Sequence, residues 1–342
     1  MECPIRPGIR SGRDRLPNNV TIPPLLLVGC GAMALHYAKV LQVLGVPFQA
    51  IGRSIDVCAK FAAQTGTQPM PGGLAEGLRI LNGVSQSAIV AVTVDQLTGV
   101  TQQLLGHGVR RILVEKPAGL NTAEIRATAQ LAASKGADVF VAYNRRFYAS
   151  TARAREIIQS DGGATSFHFE FTEWSHQIEP LPTPAHVKRR WFLANSTHVC
   201  DLAFFLCGFP AEFSAYSGGS LAWHPAGSRF VGCGISEAGV LFSYHSNWES
   251  AGRWGIEICT SKRRLYLRPL EALSEQLRGQ LAQVPLALED QHDKTFKPGL
   301  YEQTRQFLEG RFVDLLRLED HANIAASVYD RIVSDSGVAP HA

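Results

Sequence analysis

From residue 25 onward, short apolar runs alternate with longer amphipathic stretches in the first half of the chain. The apolar runs are LLLV, FQAI, AIVAV, RILV and VFVAY, which begin at residues 25, 48, 88, 111 and 139. Strand-helix alternation at this spacing predicts a parallel sheet with right-handed helical crossovers. In this interpretation AIVAV is the fourth strand, RILV the fifth and VFVAY the sixth.

The pattern changes after residue 150. The segments 167–171, 240–248 and 255–260 alternate apolar and polar residues with period two, which is typical of an antiparallel sheet. Helical patterns are expected at 195–206, ended by Gly208 and Pro210, and at 299–309 and 319–334. We therefore predict an α/β plus α+β fold: an N-terminal Rossmann domain with a doubly wound parallel sheet, then a domain with an open, mostly antiparallel β-sheet.

A length of 342 residues favours two domains. We expect a flexible leader at 1–24, rich in Arg, Pro and Gly, which could also reflect an early start codon. A dinucleotide-binding domain follows at 25–147, and a substrate-binding and oligomerisation domain at 148–342. The last helices of the second domain can pack back on the first.

Composition narrows the class of partner. The chain is 45% hydrophobic with a net charge of +3, and its basic residues are scattered, so we expect a small-molecule substrate and no nucleic acid. No apolar run approaches the roughly 20 residues of a membrane helix, so we expect no membrane segment. Seven cysteines without a C-x-x-C pair predict reduced thiols in the cytoplasm and no metal site.

The first strand runs directly into a glycine-rich turn. The turn reads Gly29-Cys30-Gly31-Ala32-Met33-Ala34 and precedes a helical pattern, which is the G-x-G-x-x-A form of the dinucleotide turn. Gly29 permits the tight turn, and Gly31 lets backbone amides approach a pyrophosphate. Ala34 keeps the helix close to the sheet while its amino-terminal dipole faces the anion. The turn predicts a nicotinamide dinucleotide site.

The second strand ends at Gly52-Arg53-Ser54, without the carboxylate that usually holds the ribose hydroxyls of NAD. Arg53 can bind a 2′-phosphate, and Ser54 adds a hydroxyl, so NADP is the preferred cofactor. NAD remains the alternative, with Asp56 turned toward the ribose and Arg53 an ordinary surface residue.

RILV runs into Glu115-Lys116-Pro117. A lysine at the carboxyl end of a parallel strand points into the crevice where ligands bind. There it can stabilise developing alkoxide charge, and partial burial can lower its pKa into a useful range.

At these residues the chain resembles the glucose-fructose oxidoreductase, inositol dehydrogenase and MocA (Gfo/Idh/MocA) family. The resemblance covers nearly the whole chain after Leu25. It rests on the Gly29 to Ala34 turn, Glu115-Lys116-Pro117, Tyr143-Asn144-Arg145-Arg146-Phe147 and Asn195-Ser196-Thr197-His198-Val199-Cys200-Asp201. It implies that Lys116 and His198 face the substrate, and that His198 exchanges the hydroxyl proton while hydride moves to or from nicotinamide C4.

The resemblance extends the site on both sides. Beyond the glycine turn and the second-strand tip, the candidate cofactor contacts are Thr93, Val94, Asp95, Glu115, Lys116 and Asn144. The candidate substrate contacts are Tyr143, Arg145, Trp174, Arg190, Asn195 and Asp201. Many relatives carry a carboxylate three or four residues before the histidine, whereas this chain has Asn195 and Ala194, which shifts weight toward Lys116 and His198 as the working pair.

Several of these residues have ordinary structural alternatives. Asp201 can orient His198 or form a buried polar contact. Arg145 and Arg146 can belong to a salt-bridged hinge. The polar and aromatic cluster of Trp174, His176, Lys188, Arg189, Arg190 and Trp191 suits a sugar or phosphate, or is simply a surface loop.

The leading functional hypothesis is an NAD(P)-dependent oxidoreductase that transfers hydride between nicotinamide and a carbonyl or hydroxyl of a sugar, cyclitol or nucleotide-sugar-like substrate. Two alternatives remain: a glycoside hydrolase-like enzyme with retained cofactor, and a non-catalytic dinucleotide-binding redox sensor. The open sheet predicts a homodimer or homotetramer.

Overall fold

A computed structural model of the protein describes residues 24–81 and 85–333, which form two β-sheets with helices packed on them. Residues 1–23 of the predicted leader and the last residue of the helix predicted at 319–334 lie outside this part of the chain. The helices are α1 (Ala32–Val43), α2 (Ile55–Thr65), α3 (Leu74–Ile80), α4 (Leu97–Gly106), α5 (Thr122–Ser134), α6 (Ala149–Ser160), α7 (Ser175–Ile178), α8 (Ala185–Lys188), α9 (Thr197–Cys207), α10 (Gln291–Thr295), α11 (Leu300–Glu309), α12 (Leu318–Ile324) and α13 (Asp330–Val333).

The first sheet is a doubly wound parallel sheet with one antiparallel edge strand. Its members are β1 (Leu25–Val28), β2 (Phe48–Ile51), β3 (Ser87–Val90), β4 (Arg111–Glu115), β5 (Asp138–Ala142) and β14 (Leu316–Arg317). The spatial order is β14-β5-β4-β3-β1-β2, and only β14 runs antiparallel to its neighbour. The carboxyl ends of β1 to β5 therefore meet at one edge, where α/β proteins bind ligands.

The strand count inferred from the sequence was wrong by one. In the described chain, residues 68–72 form a single parallel bridge, from Met70 to Ile51, instead of a strand. Pro69 and Pro71 flank Met70 and have no N–H to donate, so a hydrogen-bond ladder cannot extend in either direction. AIVAV thus contains the third strand, RILV the fourth and VFVAY the fifth.

The second sheet is mostly antiparallel, which confirms the predicted fold class. Its members are β6 (Ala164–Glu170), β7 (Pro210–Gly218), β8 (Arg229–Ser236), β9 (Leu241–Asn247), β10 (Gly255–Thr260), β11 (Arg263–Leu267), β12 (Ser274–Leu277) and β13 (Val284–Pro285). The spatial order is β13-β12-β11-β10-β6-β9-β8-β7, with only β6 and β9 parallel. The predicted segments correspond to β6, β9 and β10.

One face of this sheet packs against α9, which is buried along its whole length except at Phe205. The helix predicted at 195–206 begins as a π-helical turn, Phe192–Ser196, and continues as α9 until Gly208, whose φ of 96° ends it. Rings from the sheet, including Phe167, Phe169 and Phe242, stack edge-on against Phe204 of α9. This packing fixes the register of the helix that carries His198.

The last part of the chain returns to the first sheet. Leu300 and Phe307 of α11 share one hydrophobic cluster with Tyr37 and Leu41 of α1. The strand β14 then pairs with β5, and α12 leads through a second π-helical turn, Ala325–Tyr329, into α13. Within the described residues, none of the helices has the length and apolarity required to traverse a lipid bilayer.

Candidate functional site

The glycine turn after β1 has the shape of a dinucleotide cradle. Gly29 has a φ of 119°, and a side chain there would collide with the carbonyl oxygen of Ala91. A Cβ atom at Gly31 would meet no atom within 4 Å, and Gly31 caps α1 without a side-chain hydrogen bond. Backbone amides of the first turn of α1 are therefore open to an anion, as a bound pyrophosphate requires.

The tip of β2 is also shaped by packing. A side chain at Gly52 would collide with the sulfur atoms of Cys30 and Cys58, so only glycine fits there. Arg53, Ser54 and Asp56 are all exposed, and Ser54 makes no side-chain cap at the start of α2. Arg53 and Asp56 thus both remain available to a ribose or its phosphate.

The tip of β3 faces the second half of the chain. Thr93 precedes a single 3-10 turn, Val94–Gln96. The Asp95 carboxylate lies 3.8 Å from Nε2 of His186 on α8. The turn after β3 therefore contacts a helix that comes after β6, the first strand of the second sheet, in the chain. Thr93, Val94 and Asp95 therefore lie at the carboxyl edge of the sheet, where the sequence placed them.

Glu115 and Lys116, at the end of β4, point to different sides of the strand. Tyr37 donates a 2.8 Å hydrogen bond to Glu115 Oε1, and Lys116 Nζ donates a 2.6 Å bond to the carbonyl oxygen of Ala194 in the π-helical turn before α9. Burial raises the pKa of Glu115, against the opposing charge of Lys116. Burial lowers the pKa of Lys116 to about 8, although Glu115 opposes this.

His198 lies in the first turn of α9, beside Lys116. Its ring is edge-on to Tyr143 at 5.6 Å and lies 6.3 Å from Trp254, while its Nδ1 atom is buried and has no hydrogen-bond partner. Burial lowers the pKa of His198 well below its usual value, and the charges of Arg145, Lys116 and Lys297 lower it further. This direction favours the neutral imidazole, which is the form that can accept a proton.

Tyr143 and Asn144 form hydrogen bonds that hold the segments around His198 together. The Tyr143 hydroxyl donates a 3.0 Å hydrogen bond to Thr197 Oγ1 of α9, and the Asn144 amide donates a 2.8 Å bond to the carbonyl oxygen of Pro298. Tyr143 thereby links the end of β5 to the helix that carries His198. These contacts fix the spacing between the two halves of the chain at the site.

A carboxylate that the sequence analysis missed lies in the same place. Glu173 follows β6, is only 2% exposed, and accepts hydrogen bonds from Asn195 Nδ2 at 2.9 Å and Ser196 Oγ at 2.7 Å. Burial raises its pKa, while these bonds and the charges of Arg253 and Lys116 oppose the rise. The structure thus brings a carboxylate to Asn195, the position where many relatives carry one on the helix itself.

Asp201 has the structural role that the sequence left open. Both of its oxygens accept hydrogen bonds from Arg146, at 2.6 and 2.8 Å, and the two side chains are buried. Burial raises the pKa of Asp201, while the paired guanidinium opposes the rise. This ion pair joins the segment after β5 to α9, and it occupies the carboxylate that was considered for substrate binding.

Arg145, by contrast, faces the aromatic wall of the site. Its guanidinium carbon lies 4.7 Å from the ring centre of Trp254 and 5.9 Å from that of Tyr148. Its Nε atom is buried without a hydrogen-bond partner, although the residue as a whole is partly exposed. The two neighbouring arginines therefore differ: Arg146 is a paired structural residue, and Arg145 is not paired.

The polar and aromatic residues between positions 174 and 191 do not all lie at the site. Trp174 is 39% exposed, its indole N–H donates to the carbonyl oxygen of Gly252, and Arg253 lies over its ring at 4.5 Å. Arg253 also lies 5.0 Å from the Trp254 ring, so Trp174 belongs to the rim of the site. Arg190 is exposed beyond α8, and no contact within the described chain brings it to Lys116 or His198.

The remaining members of that cluster are used locally. Lys188 donates to the carbonyl oxygen of Glu179, and Trp191 packs edge-on against Trp223 at 6.1 Å. His176 lies in α7, and Arg189 is exposed. Over the ranges 24–81 and 85–333, no group of three or more His, Cys, Asp or Glu residues could hold a metal ion.

Comparison with known proteins gives matches in structure only. No protein-family model and no curated protein sequence matches the chain. A UDP-N-acetylglucosamine 3-dehydrogenase from Acidithiobacillus ferrooxidans superposes with a TM-score of 0.69 at 14% identity, over 91% of this chain and 97% of that one. Levoglucosan dehydrogenase, in complex with NADH and levoglucosan, superposes with a TM-score of 0.70 at 15% identity, over 91% and 96%.

A third structure, described as an NADPH-dependent oxidoreductase from Desulfitobacterium hafniense, superposes with a TM-score of 0.74 at 16% identity, over 92% of this chain and 95% of that one. These neighbours are described as dehydrogenases or oxidoreductases, and at this low identity the match confirms the predicted two-sheet fold. The shared architecture extends over both sheets.

Proposed function

We propose that the protein is an NAD(P)-dependent oxidoreductase that transfers hydride between nicotinamide and a hydroxyl or carbonyl carbon of a sugar-like substrate. The observation that carries this proposal is that Lys116 and the buried His198 lie together at the carboxyl edge of a sheet whose first strand ends in a glycine turn open to a dinucleotide. The names of two structural neighbours, which act on levoglucosan and on a nucleotide sugar, support the substrate class.

In this proposal Lys116 and His198 have different roles. The bound nicotinamide supplies the site that accepts or donates the hydride. In the oxidation direction, neutral His198 takes the hydroxyl proton as the C–H bond gives up its hydride, so that an alcohol becomes a carbonyl. The Lys116 ammonium donates a hydrogen bond to the same oxygen and stabilises its developing negative charge.

Glu173 completes the arrangement as a positioning residue. It accepts hydrogen bonds from Asn195 and Ser196, and its charge raises the pKa of Lys116 against the effect of burial. A carboxylate just after β6 can therefore compensate for the amide that stands at position 195, before α9. The site can therefore be catalytic, although the helix lacks the carboxylate that many relatives carry before this histidine.

Substitution of Gly31 by alanine tests whether the turn holds a dinucleotide. The position has a φ of −81° and free space around it, so the variant should fold with an unchanged Tm. The added methyl group occupies the space through which a pyrophosphate approaches the backbone amides, so NADH and NADPH should bind at least tenfold more weakly. Titration followed by nicotinamide fluorescence measures the affinity.

Gly45→Ala provides a matched control, because Gly45 also has free space around it but lies beyond α1, at the opposite end from the turn. Its φ of 68° predicts a small loss of stability with unchanged nucleotide affinity. Tight nucleotide binding by the Gly31→Ala variant, or none by the wild type, would reject the proposed cofactor site.

The cofactor preference within this proposal is NADP. Arg53 is exposed at the tip of β2 and offers five donors to a 2′-phosphate, so Arg53→Ala should weaken NADPH binding about tenfold and leave NADH binding within twofold. One neighbour described as NADPH-dependent supports this choice. If Asp56→Asn instead weakens NADH and Arg53→Ala changes neither affinity, the enzyme prefers NAD.

We also propose that the outer face of the second sheet packs against a second copy of the chain. Tyr216, Val231, Ile235 and Leu241 are 51%, 43%, 36% and 62% exposed on neighbouring strands β7, β8 and β9. Two apolar cross-strand pairs on the exposed face of an open sheet, Tyr216 with Val231 and Ile235 with Leu241, favour isologous pairing, as a homodimer or within a homotetramer. The free cysteines of the described chain, four of them buried, favour the cytoplasm.

A further inference from the structure

We propose that Arg145 binds a carboxylate group of the substrate, so that the enzyme acts on a sugar acid or another polyhydroxy acid and not on a neutral sugar. This inference rests on the proposed function and narrows its substrate class. The Arg145 guanidinium has no hydrogen-bond partner in the described chain, whereas the carboxylates around the site do. Several positive charges also lie around His198.

The guanidinium of Arg145 lacks a protein partner. Among the residues that the structure describes, no ion pair within 4.0 Å includes Arg145, and its buried Nε atom makes no hydrogen bond. Trp254 and Tyr148 flank it with aromatic rings, at 4.7 and 5.9 Å. A partly desolvated guanidinium whose buried Nε atom has no hydrogen-bond partner is costly, and a bidentate carboxylate would offset that cost.

The carboxylates near Arg145 already have other donors. Glu115 accepts from Tyr37, Glu173 accepts from Asn195 and Ser196, and Glu271 accepts a 3.4 Å bond from Tyr148. Asp201 accepts hydrogen bonds from Nε and Nη2 of Arg146. None of these carboxylates forms an ion pair with Arg145, so we assign the anion that pairs with it to a ligand.

Several cations converge on the same space. The charges of Arg145, Lys116 and Lys297 all act on the His198 ring, and Arg253 lies on Trp254 at 5.0 Å. A carboxylate on Arg145 would add a negative charge next to the base, whereas a neutral substrate would not. The same anion would therefore favour proton uptake by His198.

A carboxylate fits better than a phosphate. Arg145 presents one planar fork between two rings, which matches the two coplanar oxygens of a carboxylate, whereas a phosphate dianion needs donors on several sides. The second arginine at the rim, Arg253, has its guanidinium spread over Trp174 and Trp254. Preferential binding of a phosphorylated sugar would therefore contradict the proposal.

The test compares ligands that differ only in their charged group. With saturating NADH, calorimetry on the full-length protein measures the affinities of D-glucuronate and D-glucose, D-gluconate and D-sorbitol, and L-tartrate and L-threitol. We expect at least one acid to bind tenfold or more tightly than its neutral partner. We expect Arg145→Gln to remove that preference and Arg145→Lys to keep only part of it, because lysine retains the charge but not the fork.

Controls separate this inference from the proposed function. Arg126→Gln, an exposed arginine on α5, should leave every affinity unchanged, and all variants should retain the wild-type Tm and NADH affinity. If NADH fails to bind the wild type, the proposed function fails. If NADH binds but no acid is preferred, if D-glucose 6-phosphate is preferred to every acid, or if Arg145→Gln loses NADH binding, the carboxylate proposal is overturned.

Discussion

Replacement of Lys116 by methionine is expected to lower kcat/KM by about 10²- to 10⁴-fold and to leave NAD(P)H binding within threefold. Methionine fills most of the buried volume but cannot donate a hydrogen bond to the substrate oxygen. Because the pKa of Lys116 is lowered to about 8, the ammonium form is lost above that pH, and wild-type kcat/KM should decline there. Steady-state kinetics across pH 6 to 10, with an acid or sugar that the protein binds, measure both effects.

The matched control is Lys135→Met, at the exposed C-cap of α5, which should leave kcat/KM and its pH profile unchanged. The decline near pH 8 should disappear in Lys116→Met if Lys116 is its source. A variant that retains more than a tenth of the wild-type kcat/KM, with the same pH profile, would remove Lys116 from the reaction and favour a binding or sensing role for the protein.

Substitution of Asp201 by asparagine is expected to lower the free energy of unfolding by about 3–5 kcal/mol. The isosteric change removes the negative charge and one of the two acceptor oxygens, and it leaves the guanidinium of Arg146 buried without a counter-charge. The pair joins the segment after β5 to α9, so the loss should affect both halves of the chain. Urea denaturation without nucleotide measures the change from the shift in midpoint.

Two variants calibrate this result. Glu156→Gln, in the exposed pair with Arg153 at 2.8 Å, should cost less than about 1 kcal/mol. The double variant Arg146→Met with Asp201→Leu replaces both charges by apolar groups, so it should recover most of the stability that Asp201→Asn loses. Equal losses for Asp201→Asn and Glu156→Gln would contradict a structural role for the buried pair.

The parts of the fold that the sequence predicted are those with a strong local signal. The five parallel strands are short apolar runs separated by helical patterns, and β6, β9 and β10 alternate with period two. The missed strands carry weaker patterns: β8 contains Gly232 and Gly234, and β12 and β13 are short and partly exposed. Their pairing depends on neighbours that are distant in sequence.

The site was predictable where a motif carries it. The glycine turn and Lys116 follow the ends of parallel strands, and His198 lies on a helix. These predicted elements are enough to place the three features near one another. Glu173 follows a strand without any motif, and its role depends on Asn195 and Ser196, which are more than 20 residues away. Arg146 pairs with Asp201 and Arg145 lies against Trp254, and both partners are distant in sequence. The sequence alone therefore could not distinguish the roles of these two adjacent arginines.

The antiparallel strand β14 has a consequence for how the protein is made. The ribosome produces β1 to β5 well before residues 316–317, so a nascent chain keeps the β5 edge of its first sheet open while the whole second sheet is synthesised. The packing of Leu300 and Phe307 on α1 is delayed in the same way. The half of the chain that carries the first sheet therefore cannot complete its packing as an independent first unit during translation, although it lies first in the chain.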